Sequence, residues 1–281
     1  MKRIAALALC LLTASPSVAQ NTGLERLSRP DQIISWKAVG RVDIGTSAFC
    51  TGTLIAADLV LTAAHCLFDR SGAPYPVDKI TFRAGFADGA AVAEAGVARA
   101  TAHDNYVAGK TGTQDGEQIR FDVALLQLAQ PISTALAPPF AVDRPSDGDE
   151  VSVVSYARGR EAALSWQRAC TVLGRRGDLI AVDCDVTFGA SGAPVFDRSQ
   201  GRARIVSIIS AGVKDGAGTV AFGMELPRLV SDLKQQLRSG RGVVTAQGDG
   251  LEPSAVGARR ISLGGADRSA GGARFVKVPG N

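Results

Sequence analysis

The stretch FGASGAPV, Phe188 to Val195, sets one serine, Ser191, among small residues within an apolar run. A serine hydroxyl at its ordinary pKa is a poor nucleophile; it needs a base within hydrogen-bond reach and a third group that orients the base. By itself Ser191 reads as a turn residue, because Ser and Gly dominate turns for conformational reasons. The sequence holds two histidines. His65 closes the apolar run of VLTAAHCLF beside Cys66, whereas His103 lies in the polar TAHDNYVAG and reads as a loop residue. Standing alone, His65 would be a satisfied interior histidine, and Asp122, at the head of the strand-like RFDVALLQL, a strand-start turn residue. A carboxylate about to be buried, however, needs a charged or hydrogen-bonding partner to offset its desolvation. His65 can be that partner, and the three residues together point to attack by a serine on a carbonyl carbon.

Chain order separates the architectures that could assemble such a set. In α/β-hydrolases the serine precedes both acid and histidine, yet no histidine follows Ser191. Subtilisin-type folds run acid, histidine, serine. The order found, His65, Asp122, Ser191, is that of the chymotrypsin-like double barrel.

The elements that must position these residues are mostly strands. AFCTGTLIA, LVLTAA, KITFRAG, VALLQLAQ, EVSVVSYA, DLIAVDC, RIVSIISAG and TVAFGMEL recur with turn signals between them, the pattern of a many-stranded sandwich or barrel. Helical periodicity is confined to PRLVSDLKQQLRSG, where Leu229, Val230, Leu233 and Leu237 share a face. The proline-rich LAQPISTALAPPFAVDRPSDGD forms a seam that divides the strands into halves of similar size.

With 281 residues and 46% apolar content the chain can bury a substantial core. Lys2 and Arg3, the apolar run Ile4 to Leu12 and the small residues Ser17 and Ala19 read as a signal peptide, residues 1–19, so the protein is expected to be secreted or periplasmic. Cys10 falls inside it and follows Leu9, which does not suit a lipidation site. No later stretch approaches the roughly 20 apolar residues of a membrane span. Four cysteines remain, and an even number in an exported chain favours disulfides. Of the three possible pairings, the local one, Cys50–Cys66 and Cys170–Cys184, closes short loops worth on the order of 3 kcal/mol each. A zinc site would need ligands that the two histidines and the missing CxxC do not supply. Of the formal charge of +4, two cations belong to the signal and a surplus of three to residues 241–281. The body is left near −1, which excludes a basic nucleic-acid face. Residues 241–281, rich in Gly, Ala, Arg and Ser, read as a flexible tail with RFVKV its one possible strand.

In order, CTGTLIAADLVLTAAHC, HDNY, FDVALLQL and GASGAPV resemble the trypsin-like serine peptidases over about residues 36–240, from the WKAVGRV strand to the helix. The TFGASGAPVF form is nearer to bacterial secreted members such as glutamyl endopeptidases than to animal trypsins. The resemblance implies an all-β fold of two six-stranded antiparallel barrels, about 36–135 and 136–226, with the active site in the cleft between them and a C-terminal helix at about 227–239. Residues 20–35 would be an N-terminal extension. It implies a secreted serine endopeptidase with no cofactor or metal, in which Ser191 attacks, His65 carries the proton and Asp122 holds the imidazole. Backbone N–H groups of Gly189 and Ser191 would form the oxyanion hole. His103 takes a structural role. Asp185 stands six residues before Ser191, where trypsins place the pocket-floor carboxylate, although Thr187 replaces the cysteine that braces that pocket. Ser210, Ala211 and Gly212 would offer the edge along which a substrate strand lies. Expected partners are protein or peptide substrates, with no nucleic acid, no integral membrane segment and a monomeric state. Ala190 replaces the aspartate that pairs with a new amino terminus in animal trypsins, so removal of residues 20–30 is expected to leave activity largely intact. The alternatives are a catalytically silent binding module on the same fold and an esterase-like acyl hydrolase.

Overall fold

The computed structural model describes residues 23–46, 48–109, 116–145, 150–215, 218–246 and 275–277. The expected signal peptide, 1–19, and the tail apart from 241–246 and 275–277 lie outside the described residues. In chain order the strands are β1 (Leu24–Arg26), β2 (Val39–Ile44), β3 (Ala48–Ala56), β4 (Leu59–Thr62), β5 (Ile80–Ala84), β6 (Ala93–Ala102), β7 (Ala124–Leu128), β8 (Glu150–Ser155), β9 (Ser165–Arg176), β10 (Leu179–Val182), β11 (Pro194–Asp197), β12 (Arg204–Ile208), β13 (Ala211–Asp215), β14 (Gly218–Met224), β15 (Val243–Thr245) and β16 (Phe275–Lys277). The α-helices are α1 (Pro30–Ile33), α2 (Gly116–Arg120) and α3 (Pro227–Ser239).

Alternating side chains build the first sheet. Val42 and Ile44 of β2, with Ile80, Phe82 and Ala84 of β5, face inward, while Arg41 and Asp43 face outward and pair with each other at 2.6 Å. The order β6-β5-β2-β3-β4-β7 closes because β7 also pairs with β6, from Val97↔Leu128 to Ala102↔Ala124. This is the expected six-stranded barrel. Helix α3 buries Leu229, Val230, Leu233 and Leu237, packs against β6 and β7, and ends at Gly240, whose positive φ of 75° terminates it. The chain then adds β15 to β6, with Val243 opposite Thr101, so residues 241–246 belong to the folded body.

The second sheet runs β12-β11-β8-β9-β10-β14-β13-β16, with β1 paired to β9, and curls into a half-barrel. Here the fold departs from a second closed barrel. β12 and β13 are halves of one run that bends at Ile209 and Ser210. At the bend the Ile209 carbonyl accepts from Gly192 N–H (2.7 Å) and the Ile209 N–H donates to the Ala193 carbonyl (2.9 Å). These bonds carry the β11–β12 ladder on into the Ser191 loop.

Residues 24–36 are built into the body. β1 pairs with β9, Leu27 N–H donates to the Leu164 carbonyl at 2.8 Å, and Leu27 and Ile33 are buried. Trp36 then stacks among Phe140, Trp166 and Phe196, with ring centroids 5.0–6.2 Å apart. The expected dispensability of residues 20–30 conflicts with this burial, because their removal deletes β1 and a core leucine.

Candidate active site

His65 is delivered by the end of β4. Thr62 closes the strand, Ala63 caps a 3-10 turn over Ala64–Leu67, and the Cys50–Cys66 disulfide ties that turn to β3. The second disulfide, Cys170–Cys184, joins β9 to the segment ahead of the Ser191 loop. Cys50, Cys66 and His65 lie close enough together to suggest metal ligation, but the disulfide occupies both sulfurs.

Asp122 sits between α2 and β7 and is buried. Its Oδ1 accepts the backbone N–H of His65 at 2.8 Å. Its Oδ2 meets His65 Nδ1 at 2.7 Å and accepts from the Ser210 hydroxyl at 2.5 Å. Three donors therefore offset the burial of one carboxylate. An acceptor on Nδ1 places the proton there and leaves Nε2 with a free lone pair. Burial pushes His65 toward the neutral form, but the charge and hydrogen bond of Asp122 outweigh it, so the imidazole pKa lies above its ordinary value. His65 Nε2 is buried and has no hydrogen-bond partner among the described residues.

Ser191 occupies a tight turn ahead of β11. The turn is braced by Ala190 N–H to Thr187 O (3.0 Å) and Ala193 N–H to Ala190 O (2.9 Å). Gly189 and Gly192 take φ of +92° and +75°, a region costly for other residues. A β-carbon on Gly189 would meet the Phe49 ring at 2.4 Å; one on Gly192 would meet Thr62 Oγ1 at 2.3 Å and the Thr51 carbonyl at 2.4 Å. The loop is thus pressed against the end of β4 that carries His65. Thr51 on β3 fastens it there: its N–H donates to the Ser191 carbonyl (2.9 Å) and its hydroxyl to the Gly189 carbonyl (3.0 Å). The Ser191 hydroxyl is buried without a partner. Among the described residues the N–H groups of Gly189 and Ser191 donate to no acceptor. The site therefore presents a basic nitrogen, a hydroxyl and two donor N–H groups, all uncommitted.

His103 lies elsewhere. Its ring stacks on Phe121 at 5.0 Å and its N–H donates to the Val123 carbonyl at 3.0 Å, bracketing Asp122 from both sides. Burial holds its pKa below the ordinary value despite Asp232 at 3.8 Å. Asp185 is half-exposed, with Lys214 Nζ at 3.5 Å and Thr219 Oγ1 at 3.3 Å. Ala211 and Gly212 begin β13 and Ser210 immediately precedes it; all three are buried. Sequence reasoning assigned Ser210 to a substrate edge and missed its bond to Asp122, which joins residues 88 positions apart and leaves no local signal. Thr51 and Thr62 were missed for the same reason.

A histidine and an acid on one closed barrel, facing a serine loop on a second curled sheet, define the chymotrypsin type of fold. The trypsin-like peptidase domain profile matches residues 50–204, more than half of the chain, and the chain belongs to that family. It is similar to Trypsin Blo t 3 of Blomia tropicalis, 27% identical over 175 residues that make up 60% of each chain. Among solved structures it resembles a Glu endopeptidase in complex with MPD, with a TM-score of 0.61, 20% identity and coverage of 78% of this chain and 98% of that one. A thermostable serine protease, AL20, from an extremophilic microorganism matches with a TM-score of 0.58, 19% identity and coverage of 73% and 99%.

Proposed function

We propose that the protein is a serine endopeptidase working through His65, Asp122 and Ser191. The observation that carries this reading is the pair of buried, unpartnered groups, His65 Nε2 and Ser191 Oγ, beside a carboxylate that fixes the imidazole tautomer. An unsatisfied buried polar group costs about 1–3 kcal/mol, and two of opposite hydrogen-bonding character at one seam call for a function. Ser191 Oγ attacks the scissile carbonyl while its proton moves to His65 Nε2. The tetrahedral oxyanion takes the N–H groups of Gly189 and Ser191. His65 then gives the proton to the leaving amine, and water repeats the sequence to release the acyl group. Asp122, held by Ser210, steadies the imidazolium.

Substrate would add as a strand along Ser210, Ala211 and Gly212. Asp185 stays in the substrate-binding set, but with Lys214 and Thr219 as partners its charge is largely matched, so a sharp preference for Lys or Arg is not expected. Export belongs to the same reading, since both disulfides suit an oxidising compartment. No described helix is long and apolar enough to cross a membrane. The test is labelling of the folded protein by a fluorophosphonate, with loss of label in Ser191→Ala. An unlabelled but folded protein refutes the enzyme and favours the silent binding module, and a peptide-library profile separates peptidase from esterase.

A further inference from the structure

We propose that the C-terminal strand β16 is an intramolecular occupant of the substrate edge, so that the tail restrains the peptidase until it is displaced or removed. This rests on the reading of Ser210–Gly212 as the strand on which substrate lies. One side of β13 pairs with β14. Its other side, the rim of the half-barrel, pairs with β16 in the register Gly212↔Phe275, Val213↔Val276 and Lys214↔Lys277. A strand edge has one row of N–H and C=O groups and can serve one partner at a time. A substrate strand reaching Gly212 and β16 therefore exclude each other.

Direction matters as much as place. β16 runs parallel to β13, whereas every other ladder of the two sheets described above is antiparallel. Starting opposite Gly212 and ending opposite Lys214, residues 275–277 advance along β13 in the direction away from the bend at Ile209 and Ser210. An occupant of the edge that is itself left uncut acts as an inhibitor rather than a substrate. The connection allows it: the described body ends at Ala246, fixed on β6 by Ala246 N–H to the Ala98 carbonyl at 2.8 Å. The chain from there to Phe275 could extend to about 100 Å, ample to reach the second sheet. Being tethered, the strand competes at the high effective concentration of a linked ligand.

Three forms test this: the full chain, the full chain carrying Phe275→Gly, Val276→Pro and Lys277→Gly together, and a chain ending at Ala246. A small fluorophosphonate reads the triad without the edge, while fluorescein-labelled casein needs both. Labelling of Ser191 is expected to be equal in all three, with KM for casein on the order of tenfold lower and kcat unchanged in the two altered forms. A synthetic peptide of residues 270–281 added to the shortened chain is expected to raise KM again and to be recovered uncut. Equal casein kinetics in forms that label equally overturn the proposal and leave the peptidase reading standing. No labelling in any form overturns the peptidase reading itself. Labelling lost only in the altered forms, or cleavage of the added peptide within residues 275–277, also overturns the proposal.

Discussion

The first barrel closes on itself, with β15 added to β6, whereas the second sheet stays open and ends at β13 and the short β16 that lies on it. The groups proposed to handle the proton sit on the closed unit: His65 and Asp122 are held by a disulfide, two hydrogen bonds between them and a flanking histidine. The serine and the strand edge sit on the open one. Closure suits groups whose mutual distance must not change, and an open edge suits the recognition of an extended chain, which needs unpaired N–H and C=O groups. The division assigns rigidity to the base and acid and accessibility to the substrate face.

The sharpest way to break this division is at the seam. Ser191→Ala should reduce kcat by roughly 10⁶-fold while leaving the thermal unfolding midpoint in place. A small loss would mean that the serine contributes nothing to the reaction. Asp122→Asn should follow at roughly 10⁴-fold, because the imidazole loses its fixed tautomer. The same variant tests the electrostatics. The raised pKa of His65 places the acid limb of kcat/KM above the ordinary imidazole value, with activity rising as Nε2 deprotonates. Without the Asp122 charge only burial remains, and the residual activity should titrate at lower pH. For stability the sign is opposite: protonation of His65 favours the folded state below its unfolded pKa, and that contribution disappears as pH rises through the folded value.

Two smaller effects sharpen the comparison. Leu27→Ala removes a fully buried side chain where β1 meets the open sheet, and should cost about 2–5 kcal/mol in denaturant titrations. Deletion of residues 20–30 should cost at least as much, in contrast to a sequence-only expectation of neutrality. Smallest of all, reduction of Cys170–Cys184 by paired Ser substitutions should lower stability by about 3 kcal/mol or less and leave the pH profile of His65 where it is. A shifted profile would show that the two units are not as separable as their topology indicates.

The pairing of His65 with Asp122 was legible in the sequence, from a histidine closing one apolar run and a carboxylate heading another. The family profile spans these two residues and Ser191. Strand runs located most of the strands, and the periodicity of Leu229, Val230, Leu233 and Leu237 located α3. The openness of the second sheet was not legible, since it depends on which strand edges meet across the fold. The integration of residues 24–36 escaped notice because a single buried leucine among polar neighbours has no periodicity to detect. Ser210 was read only for its backbone, and its hydroxyl bond to Asp122 was not legible, since a bond across 88 residues needs the fold.

The seam at Thr51 has a consequence for the order of events in the life of the chain. The Ser191 turn takes its shape partly from Thr51 of β3, through the N–H bonded to the Ser191 carbonyl and the hydroxyl bonded to the Gly189 carbonyl. Thr62 completes the latch by donating to the Thr51 carbonyl at 2.8 Å. A copy whose first barrel has not yet formed therefore carries Ser191 as an ordinary alcohol on an unshaped loop, with no base beside it. On the proposed reading, the capacity to cleave therefore depends on the seam between the two sheets being assembled, and an unfolded or half-folded copy lacks it.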